Sequence, residues 1–180
     1  SGIKIVNPRL TAKYATKLAK AQKALSRKKL GSANRAKARL KVAGIHAKIS
    51  DCRLDNLHKL SRKLINENQV ICVESLRVKN MIKNPKLSKA IADCGWGLFL
   101  TQLEYKAEWA GRTISKIDQF FPSSKRCSNC GYTLNFLALD TRHWDCPECK
   151  TTHDRDINAS KNILTAGLAG LAFGENVSLV

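Results

Sequence analysis

Acidic side chains are nearly missing from the first third of this chain. Residues 1 to 63 hold 18 Lys and Arg against Asp51 and Asp55 alone, a net charge of +16. The other 117 residues carry 14 basic and 12 acidic groups, or +2, which completes the formal net charge of +18. A merely solvated basic surface normally intersperses both signs, and that plain alternative fits this segment less well. A field this one-sided repels itself and is tolerated where a polyanion releases counterions as its phosphates are neutralised, so nucleic acid is the expected partner. Also lacking are an apolar run near the roughly 20 residues that span a bilayer and a charged-then-apolar signal segment. No membrane partner is therefore expected, and the chain reads as soluble, cytoplasmic and nucleoid-associated. Methionine occurs once, at Met81, so a further segment is expected ahead of Ser1. What is present suffices for a fold: 180 residues, 43% hydrophobic, can bury one ordinary core and a small satellite module.

"KIVNP" reads as the end of a short strand, with Asn7 as a helix cap and Pro8 suited to the first turn. Residues 9 to 29 follow without a breaker and place Leu10, Tyr14, Leu18, Ala21 and Leu25 three or four apart on one face. "LGSAN" interrupts this helix around Gly31. A second periodic stretch, from about Arg35 to Asn68, aligns Leu40, Ile45, Ile49, Leu54, Leu57, Leu60 and Leu64. Two basic helices in a hairpin, about residues 9 to 68, are expected; a coiled-coil pair would sustain strict heptads flanked by charges of both signs. Its densest cations, Lys20, Lys23, Arg27, Lys28, Lys29, Arg35, Lys37, Arg39 and Lys41, are the candidate phosphate contacts.

"QVICVESL", residues 69 to 76, is a compact β-branched run suited to a strand buried on both faces, and it closes on Glu74. Such a charge is commonly where a strand meets solvent; the alternative is a functional carboxylate. Residues 77 to 87 read as a basic loop. From Ser88 one helix carrying Ile91, Trp96, Phe99, Leu103 and Trp109 runs to a stop at Gly111, with the aromatics as core anchors. "TISKIDQFF" is another strand, and Asp156 to Leu171 a last helix. The order is mixed α/β, interrupted by a small insert.

That insert holds two C-x-x-C pairs, Cys127 with Cys130 and Cys146 with Cys149, fifteen residues apart. The spacing fits a tetrahedral four-thiolate zinc site on two knuckles, each trailed by turn-forming residues (Gly131, Pro147, Lys150). A stretch this polar needs the metal for its folding free energy. Disulfides suit an extracellular chain better, and a redox pair would head a helix. His143 and His153 flank the cluster and read as surface residues, while Cys52, Cys72 and Cys94 read as small packed hydrophobes.

"HDRDINASKNIL" opens the last helix. Asp154 suits the helix dipole, whereas Asp156 stands among the small residues Asn158, Ala159 and Ser160, which leave space for a metal ion or a phosphate. Paired with Glu74 it suggests two carboxylates from separate elements converging on one site, as two-metal phosphodiester hydrolysis requires. Two carboxylates alone rarely hold two such ions, so a third acid should exist.

"VICVESLRVKNM", "WGLFLTQLEYKAEWAGR", "FFPSSKRCSNCGY" and "HDRDINASKNIL", in this order and spacing, resemble the C-terminal half of TnpB, the OrfB-type protein of insertion sequences. The resemblance covers essentially the whole chain. It implies an RNA-guided DNA endonuclease with a RuvC-like domain of RNase H fold, related to the type V CRISPR effectors, into which a zinc ribbon is inserted. It further implies a transposon-derived guide RNA and a DNA target as partners, Zn²⁺ held by the four cysteines, and Mg²⁺ at Glu74 and Asp156 as second and third catalytic acids. The family's first catalytic Asp has no counterpart here, since "SGIKIVNPR" resembles the segment just after it; Asp118, in a structural strand, is not a substitute. The expected organisation is a nuclease domain over 1–122 and 153–174, incomplete at its start, a zinc ribbon over 123–152 and a tail over 175–180. The fragment alone is expected to bind nucleic acid and zinc without cutting. One rival is a domesticated, nuclease-dead binder, against which the intact Glu74 and Asp156 argue. Another is a stand-alone zinc-ribbon module, which leaves the strands unexplained.

Overall fold

A computed structural model describes residues 2–85 and 87–173, so the tail expected over 175–180 lies outside the described residues. Two compact units are present. Among the described residues the first comprises 2–4, 64–77 and 104–173, the second 5–63, 78–85 and 87–103.

The second unit is built on helix α1 (Leu10–Ser26) and the long helix α2 (Ala33–Glu67), which continues beyond it. The apolar stripes meet as expected: Leu10, Ile45 and Ile49 are buried together, with Tyr14, Leu18, Ala21 and Cys52 packed against them. Each fully buried aliphatic side chain of this kind contributes roughly 1.5–3 kcal/mol by leaving water. Leu40 departs from the expected stripe and is 69% exposed, with Ala38 buried instead. Leu40 lies five residues before Ile45, about 140° around the helix, whereas Ala38 lies seven before it and so takes the place on the seam.

The start of α1 also differs. Residues 2–9 form no strand, the helix begins two residues after Pro8, and Asn7 receives the Arg9 amide in a local turn. The cap comes from far along the chain. Asp93 accepts from the Thr11 amide at 3.2 Å and the Thr11 hydroxyl at 2.5 Å, and it pairs with the Arg53 guanidinium at 2.8 Å. One buried carboxylate thus joins both hairpin helices to the residues around it, its charge balanced by hydrogen bonds.

After strand β1 (Val70–Glu74), the expected basic loop contains a short helix, α3 (Val78–Met81). The single helix expected from Ser88 is two, α4 (Ser88–Cys94) and α5 (Trp96–Trp109). Gly95 ends α4 in the left-handed conformation, φ 64°, and donates its amide to Ala92. Glycine suits this break on two counts, the positive φ and the lack of room, since a Cβ there would lie 3.0 Å from Leu57 and 3.2 Å from Arg53. Phe99 is buried, but Trp109 is 73% exposed and stacks edge-on with Tyr105, so it is no core anchor. Cys94 is likewise exposed, its sulfur receiving the Asn7 amide.

In the first unit, β1 pairs in parallel with β2 (Thr113–Ile117), from Val70 opposite Thr113 to Glu74 opposite Ile117. Val73 is buried and its β1 neighbours half-buried, less than the burial on both faces expected. Helix α6 (Arg155–Ala172) packs on both strands. It comes close enough that a Cβ on Gly167 would sit 2.5 Å from the Cys72 sulfur, and the Ser115 hydroxyl bonds the Gly167 carbonyl at 3.0 Å. Glycine is therefore required by contact rather than by a turn. Between β2 and α6 lies a small antiparallel pair, β3 (His143–Asp145) and β4 (Thr152–Asp154). The α/β class is as expected, and no described helix is long and apolar enough to cross a membrane.

Candidate metal centre and acidic site

Two knuckles of the same design hold the cysteines. The Gly131 amide donates to the Cys127 carbonyl at 3.0 Å, and the Lys150 amide to the Cys146 carbonyl at 2.9 Å. Both donors are left-handed, φ 82° and 59°. This folds each C-x-x-C pair so that both thiols point inward. All four sulfurs lie within 4.8 Å of one another, with Cys127–Cys149 and Cys130–Cys146 each at 3.6 Å. A tetrahedron with metal–sulfur bonds of about 2.3 Å has edges of about 3.8 Å, so the cluster is the right size for zinc. Among the described residues it is the one such group.

The thiols also constrain each other's charge. Thr151 and Asn129 hydrogen-bond Cys149 and bring it down to about 5. The Tyr132 amide lowers Cys130, but burial and the three other thiols outweigh it and push it up to about 12. Four thiols this close cannot all ionise without a cation, which is the chemistry a bound zinc ion would supply. Beneath them Trp144 is buried with Cys127 and Cys146, flanked by Leu134 and Leu137. His143 is exposed as expected, but His153 is not a surface residue. It is 6% exposed, stacked on Trp144 at 4.7 Å, with Nε2 3.0 Å from the Cys127 sulfur. The β3–β4 register places it opposite Trp144, a relation that residue spacing does not reveal.

Glu74 stands at the C-terminal end of β1, half-buried, and accepts from the Ser123 hydroxyl at 2.5 Å. The Ser123 carbonyl in turn accepts from Asn158 and Asn162 of α6, at 3.4 and 2.8 Å. These buried amides also bind the Arg126 carbonyl, at 2.7 and 2.6 Å, locking the loop ahead of Cys127 onto the helix. Polar burial of this kind is stable because each amide is satisfied. Glu74 and the first turns of α6 thus meet one loop through Asn158 and Asn162, while Asp156, two residues before Asn158, is exposed and its carboxylate pairs with Lys4. The sequence carried no signal for Ser123, Asn158 and Asn162 as the link.

Asp154 is more than a dipole partner. As N-cap it accepts the amides of Asp156 and Ile157, both at 3.0 Å. Lys4 bridges Asp154 and Asp156 at 2.8 and 3.0 Å, and its hydrogen bond, with the Ile157 amide, holds the Asp154 carboxyl down at about 2. Asp118 accepts the Phe120 amide and closes the turn after β2.

Of the hairpin cations, Lys20 and Lys23 lie on α1, Arg27, Lys28 and Lys29 in the turn, and Lys37, Arg39 and Lys41 on α2, all exposed. Arg35 differs, since its guanidinium binds the Leu25 and Lys28 carbonyls at 3.2 and 3.1 Å and clasps the end of α1.

Known proteins resemble this chain in sequence and in fold. Residues 1–85 match the OrfB_IS605 family, described as "Probable transposase", and residues 96–163 match the "Cas12f1-like, TNB domain". A "Putative RNA-guided DNA endonuclease" of Streptomyces pristinaespiralis is 50% identical over 98% of this chain and 44% of its own length. "Putative RNA-guided DNA endonuclease InsQ" of Escherichia coli is 34% identical over 92% of this chain and 44% of its own length. The fold resembles Cas12f1, solved as a complex with sgRNA and target DNA: TM-score 0.61, 19% identity, 89% of this chain and 43% of that one. The chain belongs to the OrfB/TnpB family of insertion-sequence proteins, and it spans a little under half the length of these relatives.

Proposed function

We propose that this chain is part of an RNA-guided DNA endonuclease, in which it supplies two acids of a RuvC-like site, a zinc ribbon and a basic surface for nucleic acid. The observation that carries the reading is the link from Glu74 through Ser123 to Asn158 and Asn162, which draws the end of β1 and the first turns of α6 to one place. There Glu74 and Asp156 would hold divalent Mg²⁺. Such ions activate water and stabilise the leaving oxygen in phosphodiester hydrolysis. Ser123 orients Glu74, and the cap from Asp154 fixes the backbone that carries Asp156. Among the described residues neither Glu74 nor Asp156 belongs to a metal-sized group of three or more ligands, and in this reading residues 1–180 alone bind without cutting. The ribbon, over about 123–152 between the two parts of the nuclease domain (1–122 and 153–174), is held by zinc on Cys127, Cys130, Cys146 and Cys149. Eight exposed hairpin cations, Lys20, Lys23, Arg27, Lys28, Lys29, Lys37, Arg39 and Lys41, track phosphates of guide RNA or DNA by shape rather than sequence. Arg35 supports the turn that presents them.

The decisive experiment is cleavage by a full-length protein containing this chain. Glu74→Ala or Asp156→Ala should abolish Mg²⁺-dependent cutting and leave binding intact; retained cutting removes that residue from the site. For the chain by itself, six to ten phosphate contacts imply a loss of affinity of about 10³-fold or more between roughly 50 and 200 mM salt. A flat salt response would remove the hairpin from the reading.

A further inference from the structure

We infer that His153 is a positioning residue that donates a hydrogen bond to the metal-bound Cys127 thiolate and, through the chain, ties the state of the ribbon to the first turn of α6. The inference rests on the four-thiolate reading of the cluster. Three observations carry it. His153 is 6% exposed, and a buried imidazole requires a polar partner; the sulfur of Cys127, itself 1% exposed, is 3.0 Å from its Nε2. The ring is held in place by Trp144, at 4.7 Å, from the opposite strand. The next residue, Asp154, caps α6 by accepting the Asp156 and Ile157 amides.

The chemistry follows from the charge of the sulfur. A metal-bound thiolate is an acceptor, so the facing Nε2 must carry the proton and donate. Cys127 then receives two N–H groups, from His153 and from the Asn129 amide at 3.4 Å. Donors of this kind spread the thiolate charge and fix ligand orientation, and their loss costs about 10–100-fold in metal affinity. Because β4 runs straight into α6, fixing His153 also fixes the peptide that aims the Asp154 carboxylate at the helix start. Loss of the metal would release that peptide, and with it the backbone that carries Asp156.

The test uses the whole chain loaded with zinc. His153→Phe keeps a ring against Trp144 and removes the donor; His153→Gln keeps a donor and removes the ring. The Phe variant should release zinc to a chelator about tenfold faster than the parent, and the Gln variant should recover part of that loss. In the Phe variant, hydrogen exchange at the Asp156 and Ile157 amides should rise while zinc is still bound. Release and exchange at parental rates in the Phe variant would overturn the inference and leave the four-thiolate site standing. A ribbon that stays folded in the parent chain without zinc would overturn both. Nitrogen-15 spectra of histidine in the unaltered loaded chain give an answer independent of variant folding: protonated, slowly exchanging Nε2 supports the bond, and the Nδ1–H tautomer with bare Nε2 refutes it.

Discussion

The helical hairpin and the cysteine ribbon of this chain are stabilised in opposite ways. In the hairpin, Leu10, Ile45 and Ile49 form a buried apolar seam that four further side chains widen. In the ribbon, Trp144 is the one large apolar side chain buried beside the thiols, while Phe136 and Leu139 remain 79% and 85% exposed. A stretch that buries so little apolar surface cannot offset its ordering entropy, and the energy must come from metal–sulfur bonds. One region is held by an apolar stripe that residue types can satisfy in many ways. The other is held by four atoms that cannot be exchanged.

The largest test of that contrast is reciprocal. Zinc sites of this type contribute about 10–16 kcal/mol, so a strong chelator should erase the Trp144 near-ultraviolet signal and amide protection over 123–152 while the hairpin's helical signal persists. Ile49→Ala should do the reverse, costing the hairpin about 2–5 kcal/mol with zinc content unchanged. If both regions melt together in either experiment, the contrast fails.

A smaller effect concerns the cap borrowed from α4. Asp93→Asn keeps an acceptor for the Thr11 amide but removes the charge from a largely buried ion pair, and denaturant unfolding of the hairpin should show a loss of about 2–3 kcal/mol. Burial raises the Asp93 carboxyl, but the Thr11 hydroxyl, the Arg53 guanidinium and the Thr11 amide outweigh it and hold it below the usual 3.8. Its contribution is therefore present in full above the ordinary carboxyl value and is lost as pH falls through the lower folded value. The unaltered chain should lose hairpin stability below about pH 4, and Asp93→Asn should flatten that part of the curve. An identical acid limb in both proteins would remove Asp93 from the balance.

The smallest effect lies within the ribbon, where two equivalent knuckle positions differ. Gly131 adopts φ 82° at little cost, whereas Lys150 adopts φ 59° with a Cβ. Lys150→Gly should stabilise its knuckle by about 0.5–1 kcal/mol and slow zinc release by a few fold. Faster release would mean that the Lys150 ammonium, which donates to the Pro147 carbonyl at 2.8 Å, matters more than the backbone strain.

Much of this arrangement was legible in advance. The hairpin's Ile45 and Ile49 follow from helical periodicity, and the four cysteines from their spacing, because both signals are local and repeat at a fixed interval. The strands around Val73 and Ser115 were recognisable as β-branched or alternating runs. The misses have another character. Gly95 breaks the expected single helix with a left-handed turn, packed where Leu57 and Arg53, about forty residues away, leave little room for a side chain. Trp109, expected as a core anchor, is outside, and His153, expected outside, is buried on a sulfur.

The sequence by itself determined the α/β class, the basic hairpin and the thiolate set, since each is written in composition, period or spacing, and it offered Glu74 and Asp156 as candidates through their places at a strand end and a helix start. Tertiary structure alone decided who partners whom: Asp93 with Thr11 and Arg53, Ser123 with Glu74 and Asn162, His153 with Cys127. Those pairings join residues 26 to 82 positions apart. They form only once packing brings distant backbone together, and a buried polar group then takes whatever partner satisfies it.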